Sequence, residues 1–559
     1  MSRTEQPEHW AYELKERTVR LLRLLNALPP AYLSRLAERY LRRPDQPGPA
    51  GEHVLQYLVS GTLDERRADD GSATKRRPDS ADSSEPKKRK PVVVGQADFF
   101  YRAQYRSTCS PTMGAFAATA RQVFATSSTE PRGHLWWRHR ETVTAILPRH
   151  AEGQIRPILM LNDESVAVAV LVPRSGNAAV DSEIEAWLHD GAHIPAHLAE
   201  SIRGEEQLSE SGIAKTRARD HLGSVCELIN AARQTGWLAL LALHPFDPDA
   251  MGLHITLFGV ESVSSDRLAQ EYGLSDTDLA PHREQAQVEN AILGYLVGGT
   301  AEVFTQCSQN LFVKQIANEP TDDLEDAIEL NTGPVELATL FANQFESIQA
   351  TVDASGLPGA SPRNGQVGRA VLLGSRRGRT YILIPYHPGN AIHGHAAKLW
   401  SNRYASISVS DDHTLHRRVT IMGKSWVASH ERITREFPAV SRSITHPDGG
   451  TEATVSDPVY WFVTRADTVT WERGALPAYI LGEGREVCSI NAGGEGRHTK
   501  KPKYFDTASL PTYDVAKQHH RESAGRATDR EGKARALWLE SLAPALAARE
   551  EHFESAGID

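Results

Sequence analysis

Two stretches of this chain carry short apolar and β-branched runs that are divided by turn residues, a pattern that predicts strands. In the first stretch the runs cover residues 142–147, 155–161, 166–172, 237–243 and 253–260, and the first three are predicted to form an antiparallel meander. In the second stretch they cover residues 370–373, 380–385, 405–410 and 419–427. A helical stretch precedes the last strand pair in both. The repeated order predicts tandem copies of one barrel-like domain.

Apolar residues at helical spacing predict helices beside these strands, over residues 184–188, 221–233, 287–296, 334–348 and 396–401. Residues 354–366 are rich in Gly, Pro, Ser and Asn, and we expect them to connect the two stretches. Trp461 and Trp471 are interpreted as core or interface anchors, because large aromatic side chains more often pack than react.

The remaining patterns divide the chain into five segments. Leucines at helical spacing on either side of Pro29 and Pro30 predict a helical hairpin within residues 1–62. Residues 63–96 are predicted to be a disordered charged linker, because they have too few apolar side chains to offset the entropy of ordering. Barrel-like domains are predicted at 97–350, with helical insertions, and at 366–515. Residues 516–559 are predicted to be a C-terminal helical tail.

Two basic clusters, nine residues apart, interrupt the linker: Lys75, Arg76 and Arg77, and then Lys87, Lys88, Arg89 and Lys90. This spacing is typical of a nuclear localisation signal, and in a eukaryotic cell it predicts binding to importin. A solvated, charge-mixed tether is the alternative, and a non-specific phosphate-binding arm is a third. The location predicted is the nucleus in a eukaryote and the cytoplasm otherwise.

Composition excludes several classes. The net charge of -9, from 62 basic and 71 acidic side chains, gives no reason to expect specific nucleic-acid binding. Four cysteines without a CxxC pair provide neither a disulfide framework nor a thiolate zinc site, and they predict an intracellular protein. No apolar run reaches the roughly 18 residues of a membrane span. No GxSxG, Walker A, HExxH or kinase motif occurs.

One window carries a family resemblance. It runs from Gly368-Arg369-Ala-Val-Leu-Leu-Gly374 through Tyr381-Ile-Leu-Ile-Pro385, the His393–Asn402 segment and the Tyr404–Asp412 segment to Arg418-Val-Thr-Ile-Met-Gly-Lys-Ser-Trp-Val427. Over about 60 residues it resembles the FMN-binding split-barrel flavoproteins, the group that includes pyridoxamine 5'-phosphate oxidase. The fold class that this implies is α+β: tandem split β-barrel domains with an N-terminal helical hairpin and a C-terminal helix.

The resemblance also implies cofactor-binding residues. Arg369 is placed to contact the flavin phosphate, and His393 and His395 take positions where the family has Ser and Lys. Lys398 is a further anchoring cation, whereas Gly374 stands where the oxidases have a Lys. Independently of the family, the start of a helix and an arginine are both suited to binding phosphate. No catalytic acid or base is predicted.

The histidines leave other interpretations open. His387, His393 and His395 are a weaker candidate for a metal or haem site, and they are equally compatible with capping a helix. The strand pair around His254 resembles that of haem-degrading split barrels. His254-Ile-Thr-Leu257 also matches one half of the HxTx pair of two-histidine phosphoesterases. Because no second copy occurs, we interpret His254 as an outward polar residue on an ordinary strand.

The leading hypothesis is therefore an FMN-dependent oxidoreductase that acts on a small molecule, with no protein-bound metal. Split barrels generally build flavin sites between two barrels, so an internal pseudo-dimer or a homodimer of barrels is expected. The alternatives are a haem-binding split barrel and a non-enzymatic scaffold built on degenerate barrels.

The nuclear hypothesis has a direct test in a tagged full-length protein. Replacing Lys87, Lys88, Arg89 and Lys90 with alanine removes the second cluster, so the protein is expected to stay in the cytoplasm of a eukaryotic cell. Fluorescence microscopy measures the distribution. Nuclear accumulation equal to that of the wild type would rule the signal out.

Overall fold

The structure is a computed structural model. It describes residues 109–480 apart from 110–112, 115–116, 119, 121, 133–138, 148–156, 163, 208–212, 244–251, 306–314, 317–333, 345, 355, 365–367, 387–393, 411–416, 446–457, 459 and 474–478. The predicted N-terminal hairpin, the linker with its two basic clusters, and the C-terminal tail lie outside the described residues. No helix in the described part of the chain is both long enough and apolar enough to span a membrane.

Nine strands and five helices have described bounds in the first half. The strands are β1 (Gln122–Ser128), β2 (Thr142–Leu147), β3 (Ile158–Met160), β4 (Ser165–Pro173), β5 (Glu205–Gln207), β6 (Lys215–Asp220), β7 (Trp237–Leu243), β8 (Gly252–Val263) and β9 (Ala291–Thr305). The helices are α1 (Ala178–Asp190), α2 (Ala196–Arg203), α3 (His221–Thr235), α4 (Ser265–Tyr272) and α5 (Asp276–Val288).

In the second half the described residues form ten strands and four helices. The strands are β10 (Gln315–Ile316), β11 (Glu346–Val352), β12 (Pro358–Asn364), β13 (Leu372–Arg376), β14 (Arg379–Tyr386), β15 (Tyr404–Ser410), β16 (Arg417–Ala428), β17 (Tyr460–Arg465), β18 (Thr468–Arg473) and β19 (Tyr479–Ile480). The helices are α6 (Pro334–Asn343), α7 (Gly394–Ser401), α8 (His430–Glu436) and α9 (Pro438–Thr445).

Two large sheets share one strand order. The first sheet runs β2-β1-β7-β8-β9-β4-β3, and the main path of the second runs β12-β11-β15-β16-β17-β14-β13. When the seven strands of each path are numbered among themselves in chain order, both paths read 2-1-5-6-7-4-3. Helices are inserted at the same two points, between strands 4 and 5 and between strands 6 and 7. The described chain is mostly β, and its curled half-barrel sheets are consistent with split barrels.

Local sequence explains why these elements begin and end where they do. Asp220 caps the start of helix α3, because its side chain accepts a hydrogen bond from the N–H of Gly223. Gly236 caps the end of this helix, where a φ of 70° suits glycine. Strand β7 follows at once as a fully apolar run that is buried from Leu238 onward. The β13–β14 hairpin turns through Arg377 and Gly378, both at positive φ, as a two-residue turn requires.

A large apolar core stabilises each half. In the first, Trp187 of α1 and Ile229 of α3 pack with the side chains of the first sheet. In the second, Leu399 of α7 packs with the second sheet, and Trp471 lies in the same cluster. Trp461 and Trp471 are 0% and 2% exposed, which confirms the prediction that both are packing residues.

The two sheets pack on each other through their second strands. Strand β12 contacts β1, β7 and β8, and strand β2 contacts β11 and β15. Polar groups are paired across this contact: Thr142 Oγ1 donates to Ser406 Oγ at 2.7 Å, and Asn402 Nδ2 donates to the carbonyl of Arg140 at 3.0 Å. Strand β18, which pairs with β16, also takes up β6 as a parallel neighbour. The halves therefore share a polar interface.

The structure corrects four expectations. The first three strands do not form a meander, because β2 and β3 lie at opposite edges of the first sheet. The helix predicted over 287–296 is the end of α5 followed by β9, since a short apolar run fits either element. The predicted helix 334–348 ends at 343, and β11 begins at 346. The expected connector 354–366 contains β12, where an edge position tolerates proline.

Gly423 of β16 gives a test of the close packing in the second sheet. A Cβ at this position would overlap the carbonyl oxygen of Arg465, a backbone atom that cannot swing away. We expect Gly423→Ala to lower the free energy of unfolding by more than about 2 kcal/mol in urea titrations. Val288→Ala, at a side chain that is 82% exposed, is the control and should change it little. Equal stabilities for the two variants would contradict this packing.

Candidate functional site

Six charged or polar side chains meet where the two sheets pack, and we call them the histidine–lysine cluster. They are His254 and Thr256 of β8, Glu302 of β9, Arg363 of β12, and His395 and Lys398 of α7. Thr256 and Glu302 are cross-strand partners, and three residues separate His395 from Lys398, which places those two on one helix face. The first sheet thus supplies three members, and the second half supplies the other three.

A buried ion pair joins the halves within this cluster. Lys398 Nζ lies 3.4 Å from Glu302 Oε2, and the two side chains are 3% and 0% exposed. A Cβ on Gly359 would lie 3.3 Å from Lys398 Nζ, so a residue without a side chain leaves space for the ammonium group above β12. Since removing one partner of a buried pair leaves an uncompensated charge, each residue here requires the other.

His254 is held by both ring nitrogens. Nδ1 lies 3.1 Å from the carbonyl oxygen of Ala360 and therefore donates its hydrogen there. In the neutral ring Nε2 then accepts from Thr256 Oγ1, 2.8 Å away. Burial lowers the pKa of His254 to about 4, with a further lowering from Lys398 that Glu302 opposes. This residue is 1% exposed, so the expectation of an outward side chain was wrong.

His395 is a second neutral imidazole. Its Nδ1 is 2.8 Å from Thr351 Oγ1, and Nε2 forms no hydrogen bond within the described residues. Burial lowers the pKa of His395 well below its usual value, and the charges of Arg363 and Lys398 lower it further. An uncharged ring with one open nitrogen is available to a ligand.

Arg363 contributes a positive charge that no carboxylate of the described residues neutralises. Its Nε donates to Gln349 Oε1 at 3.0 Å, and its guanidinium lies over the rings of Tyr386 and Phe462, 5.4 and 5.0 Å from their centroids. Within the described part of the chain it forms no ion pair. Burial lowers the pKa of Arg363, and the hydroxyls of Tyr386 and Tyr460 oppose this lowering.

Gln349 beside it carries an orphaned donor. The bond from Arg363 fixes the amide with Oε1 toward the guanidinium, and Nε2 is left buried with no hydrogen-bond partner among the described residues. The residue is 0% exposed. Because a buried unpaired donor costs about 1–3 kcal/mol, this site favours a bound acceptor. Arg363, Gln349 and His395 therefore form a set of groups suited to an anionic, hydrogen-bond-accepting ligand.

A second buried group, the arginine–glutamate cluster, lies elsewhere in the same interface. It consists of Arg418 of β16, Glu472 of β18, and His221 and Ser224 of α3. Glu472 Oε2 accepts from Arg418 Nη2 at 2.6 Å and also from Ser224 Oγ, and Oε1 pairs with His221 Nδ1 at 2.9 Å. Although burial raises the pKa of Glu472, Arg418 and His221 lower it more, to about 2.

The site residues predicted from the sequence lie in different places. His395 and Lys398 belong to the histidine–lysine cluster, whereas Arg369 is half-exposed in the turn before β13, and His393 lies outside the described residues. Sequence reasoning missed Arg363 and Glu302. The alternation Gly359, Ser361, Arg363 could have indicated a strand face, but the prolines of that segment concealed it. No group of three or more potential metal-ligating side chains occurs among the described residues.

Comparisons with known proteins give structural matches only. No protein-family model matches the chain, and no curated protein matches it. HupZ of Group A Streptococcus aligns over 24% of this chain and 90% of its own, at 12% identity and a TM-score of 0.17. HutZ, the heme storage protein of Vibrio cholerae, aligns over 24% and 88%, at 16% identity and a TM-score of 0.15.

A third match is a Clostridium acetobutylicum protein related to general stress protein 26, of the pyridoxinephosphate oxidase family. It aligns over 26% of this chain and 92% of its own, at 12% identity and a TM-score of 0.18. At TM-scores this low, none of these matches carries an argument about the fold. They carry no argument about a ligand or an activity.

The cluster predicts an acid-sensitive fold. The pKa of His254 is about 4 in the folded chain against 6.5 ordinarily, so on acidification the unfolded chain takes up the proton first. The stabilisation, about 3 kcal/mol, is complete above pH 6.5 and is lost as the pH falls toward 4. His395 acts in the same direction.

Urea titrations between pH 7 and 4 check this. His254→Gln keeps a donor for Ala360 and an acceptor for Thr256 but does not titrate. We expect its free energy of unfolding to depend less steeply on pH than that of the wild type, by up to one proton. An unchanged slope would show that His254 does not cause the acid sensitivity.

Proposed function

We propose that this chain is a tandem pair of split barrels that binds FMN at the histidine–lysine cluster and acts as a flavin-dependent oxidoreductase on a small molecule. The observation that carries the proposal is the positive charge of Arg363, which has no ion pair within the described residues, beside the orphaned Nε2 of Gln349. The shared strand order, and the packing of β2 and β12 each on the opposite sheet, support the tandem arrangement.

The residues present fit an FMN phosphate. Arginine is the side chain best suited to bidentate phosphate contacts, and cation–π contacts with Tyr386 and Phe462 hold the Arg363 guanidinium in place. His395 Nε2 and Gln349 Nε2 add two positions for hydrogen bonds. Lys398, whose charge is paired with Glu302, stays an anchor predicted from the sequence. Arg369 and His393 stay predicted anchors from the family resemblance. When bound, the flavin would supply hydride-transfer chemistry.

Haem is the second candidate, on one specific observation. His395 is held neutral by burial and nearby cations, and its Nδ1 is bonded to Thr351 while Nε2 forms no hydrogen bond in the described chain. A neutral imidazole oriented through its other nitrogen is the usual form of a histidine ligand to iron. Arg363 would then pair with a haem carboxylate.

The absorption spectrum of the purified full-length protein, before and after heat release of bound ligand, tests this proposal. Bound FMN gives an absorption band at about 450 nm, whereas bound haem gives a Soret band. We expect Arg363→Ala to weaken FMN binding at least about tenfold, because it removes a charged bidentate donor. Arg369→Ala, measured in parallel, tests the anchor predicted from the sequence.

Arg379→Ala is the matched control, because Arg379 is an exposed arginine on β14. Its FMN affinity should equal that of the wild type. Equal affinity in Arg363→Ala would remove the proposed phosphate site. A Soret band that disappears in His395→Ala would favour haem, and a colourless protein that ignores both added FMN and added haem would leave the scaffold alternative.

A further inference from the structure

The two buried clusters occupy equivalent positions in the two halves. Strand β8 reads His-Ile-Thr-Leu-Phe-Gly over 254–259, and β16 reads Arg-Val-Thr-Ile-Met-Gly over 418–423. His254 and Arg418 thus begin the same motif in strand 6 of each sheet. His254 donates to the carbonyl of Ala360 in β12, and Arg418 donates at 3.1 Å to the carbonyl of Thr144 in β2. Each contacted strand is strand 2 of the opposite sheet.

The helices that precede strand 5 of each sheet also supply equivalent residues to the two clusters. Helix α7 supplies His395 and Lys398 to one cluster, and α3 supplies His221 and Ser224 to the other, with the same spacing of three residues. Each helix therefore presents a histidine and a polar residue one turn later to a cluster in the interface. The clusters are related by the pseudo-two-fold arrangement of the two halves.

Their charges differ. In the arginine–glutamate cluster three side chains, Arg418, His221 and Ser224, all bond one internal carboxylate, that of Glu472. The counterpart of Glu472 on β9 is Phe304, because the pairs Arg418–Glu472 and His254–Phe304 are in the same register. Phe304 stacks on His254 with ring centroids 4.4 Å apart and brings no charge. The carboxylate of the histidine–lysine cluster, Glu302, is paired with Lys398, so the charge of Arg363 has no internal anion within the described residues.

We infer that the chain takes one anionic ligand rather than two, at the histidine–lysine cluster, and that Glu472 is a built-in anion that closes the equivalent cluster to a ligand. Arg418 Nε and Nη1 have no hydrogen-bond partners in the described part of the chain, but an anion beside them would lie against the Glu472 carboxylate. Like-charge repulsion in a buried site excludes it. This inference rests on the anion-binding part of the proposed function and not on the flavin.

Equilibrium dialysis of the full-length protein against labelled inorganic phosphate counts the anion sites. We expect one equivalent in the wild type and at least a tenfold loss of affinity in Arg363→Ala. Glu472→Gln keeps the size and hydrogen-bonding capacity of the side chain but removes its charge, so a second equivalent is expected. Circular dichroism confirms that each variant is folded, and the wild-type and Arg363→Ala counts stand whether or not Glu472→Gln folds.

Two equivalents in the wild type, none, or one that survives Arg363→Ala would each overturn the inference. A folded Glu472→Gln that still binds one equivalent would overturn the role of Glu472. The same samples dialysed against FMN separate this from the proposed function. One equivalent of phosphate without any FMN binding would reject the flavin and leave the single anion site standing.

Discussion

The packing of strands β2 and β12, each on the opposite sheet, is the constraint on which the rest of this structure depends. Each is the edge strand of its own sheet, and each packs on strands 1 and 5 of the other sheet. An uncovered edge exposes unpaired backbone groups, and covering it removes that hazard. The polar side chains brought along must then find partners across the contact, as Thr142 does with Ser406 and Asn402 does with Arg140. The first half and the second half are therefore stabilised together.

Both buried clusters arise from this packing, and they show how one geometry with two sequences gives different chemistry. The ion pairs Lys398–Glu302 and Arg418–Glu472 are both nearly fully buried. Buried pairs are seldom the most stable choice, since desolvation offsets their attraction, so their retention points to specificity or function. In one cluster the internal carboxylate is bonded by all the surrounding donors. In the other, Glu302 pairs with Lys398, and Arg363 forms no ion pair within the described residues.

Much of the secondary structure was predictable, with instructive failures. Strand β7 was predicted with its observed bounds, and helix α3 with nearly the observed bounds, because an apolar run and an N-cap with a terminal glycine are local signals. The prediction of a connector over 354–366 was wrong, because the Gly and Pro residues of that segment outweighed the strand pattern of β12. The prediction of a helix over 287–296 was wrong, because an apolar run buried in a sheet resembles a helix. Of the cofactor anchors predicted from the sequence, His395 and Lys398 lie in the cluster, and Arg369 lies in a turn.

The sequence by itself determined the repeated order of strands and helices, the positions of His395 and Lys398 on a short helix, and the absence of the well-marked hydrolase and kinase motifs. Only the tertiary structure decided which residues join them. Glu302 meets Lys398 across 96 residues of chain, and Arg418 meets Thr144 across 274. No local pattern encodes such pairs, because they depend on how two sheets of the same strand order pack, and that packing is set by shape and burial over the whole interface.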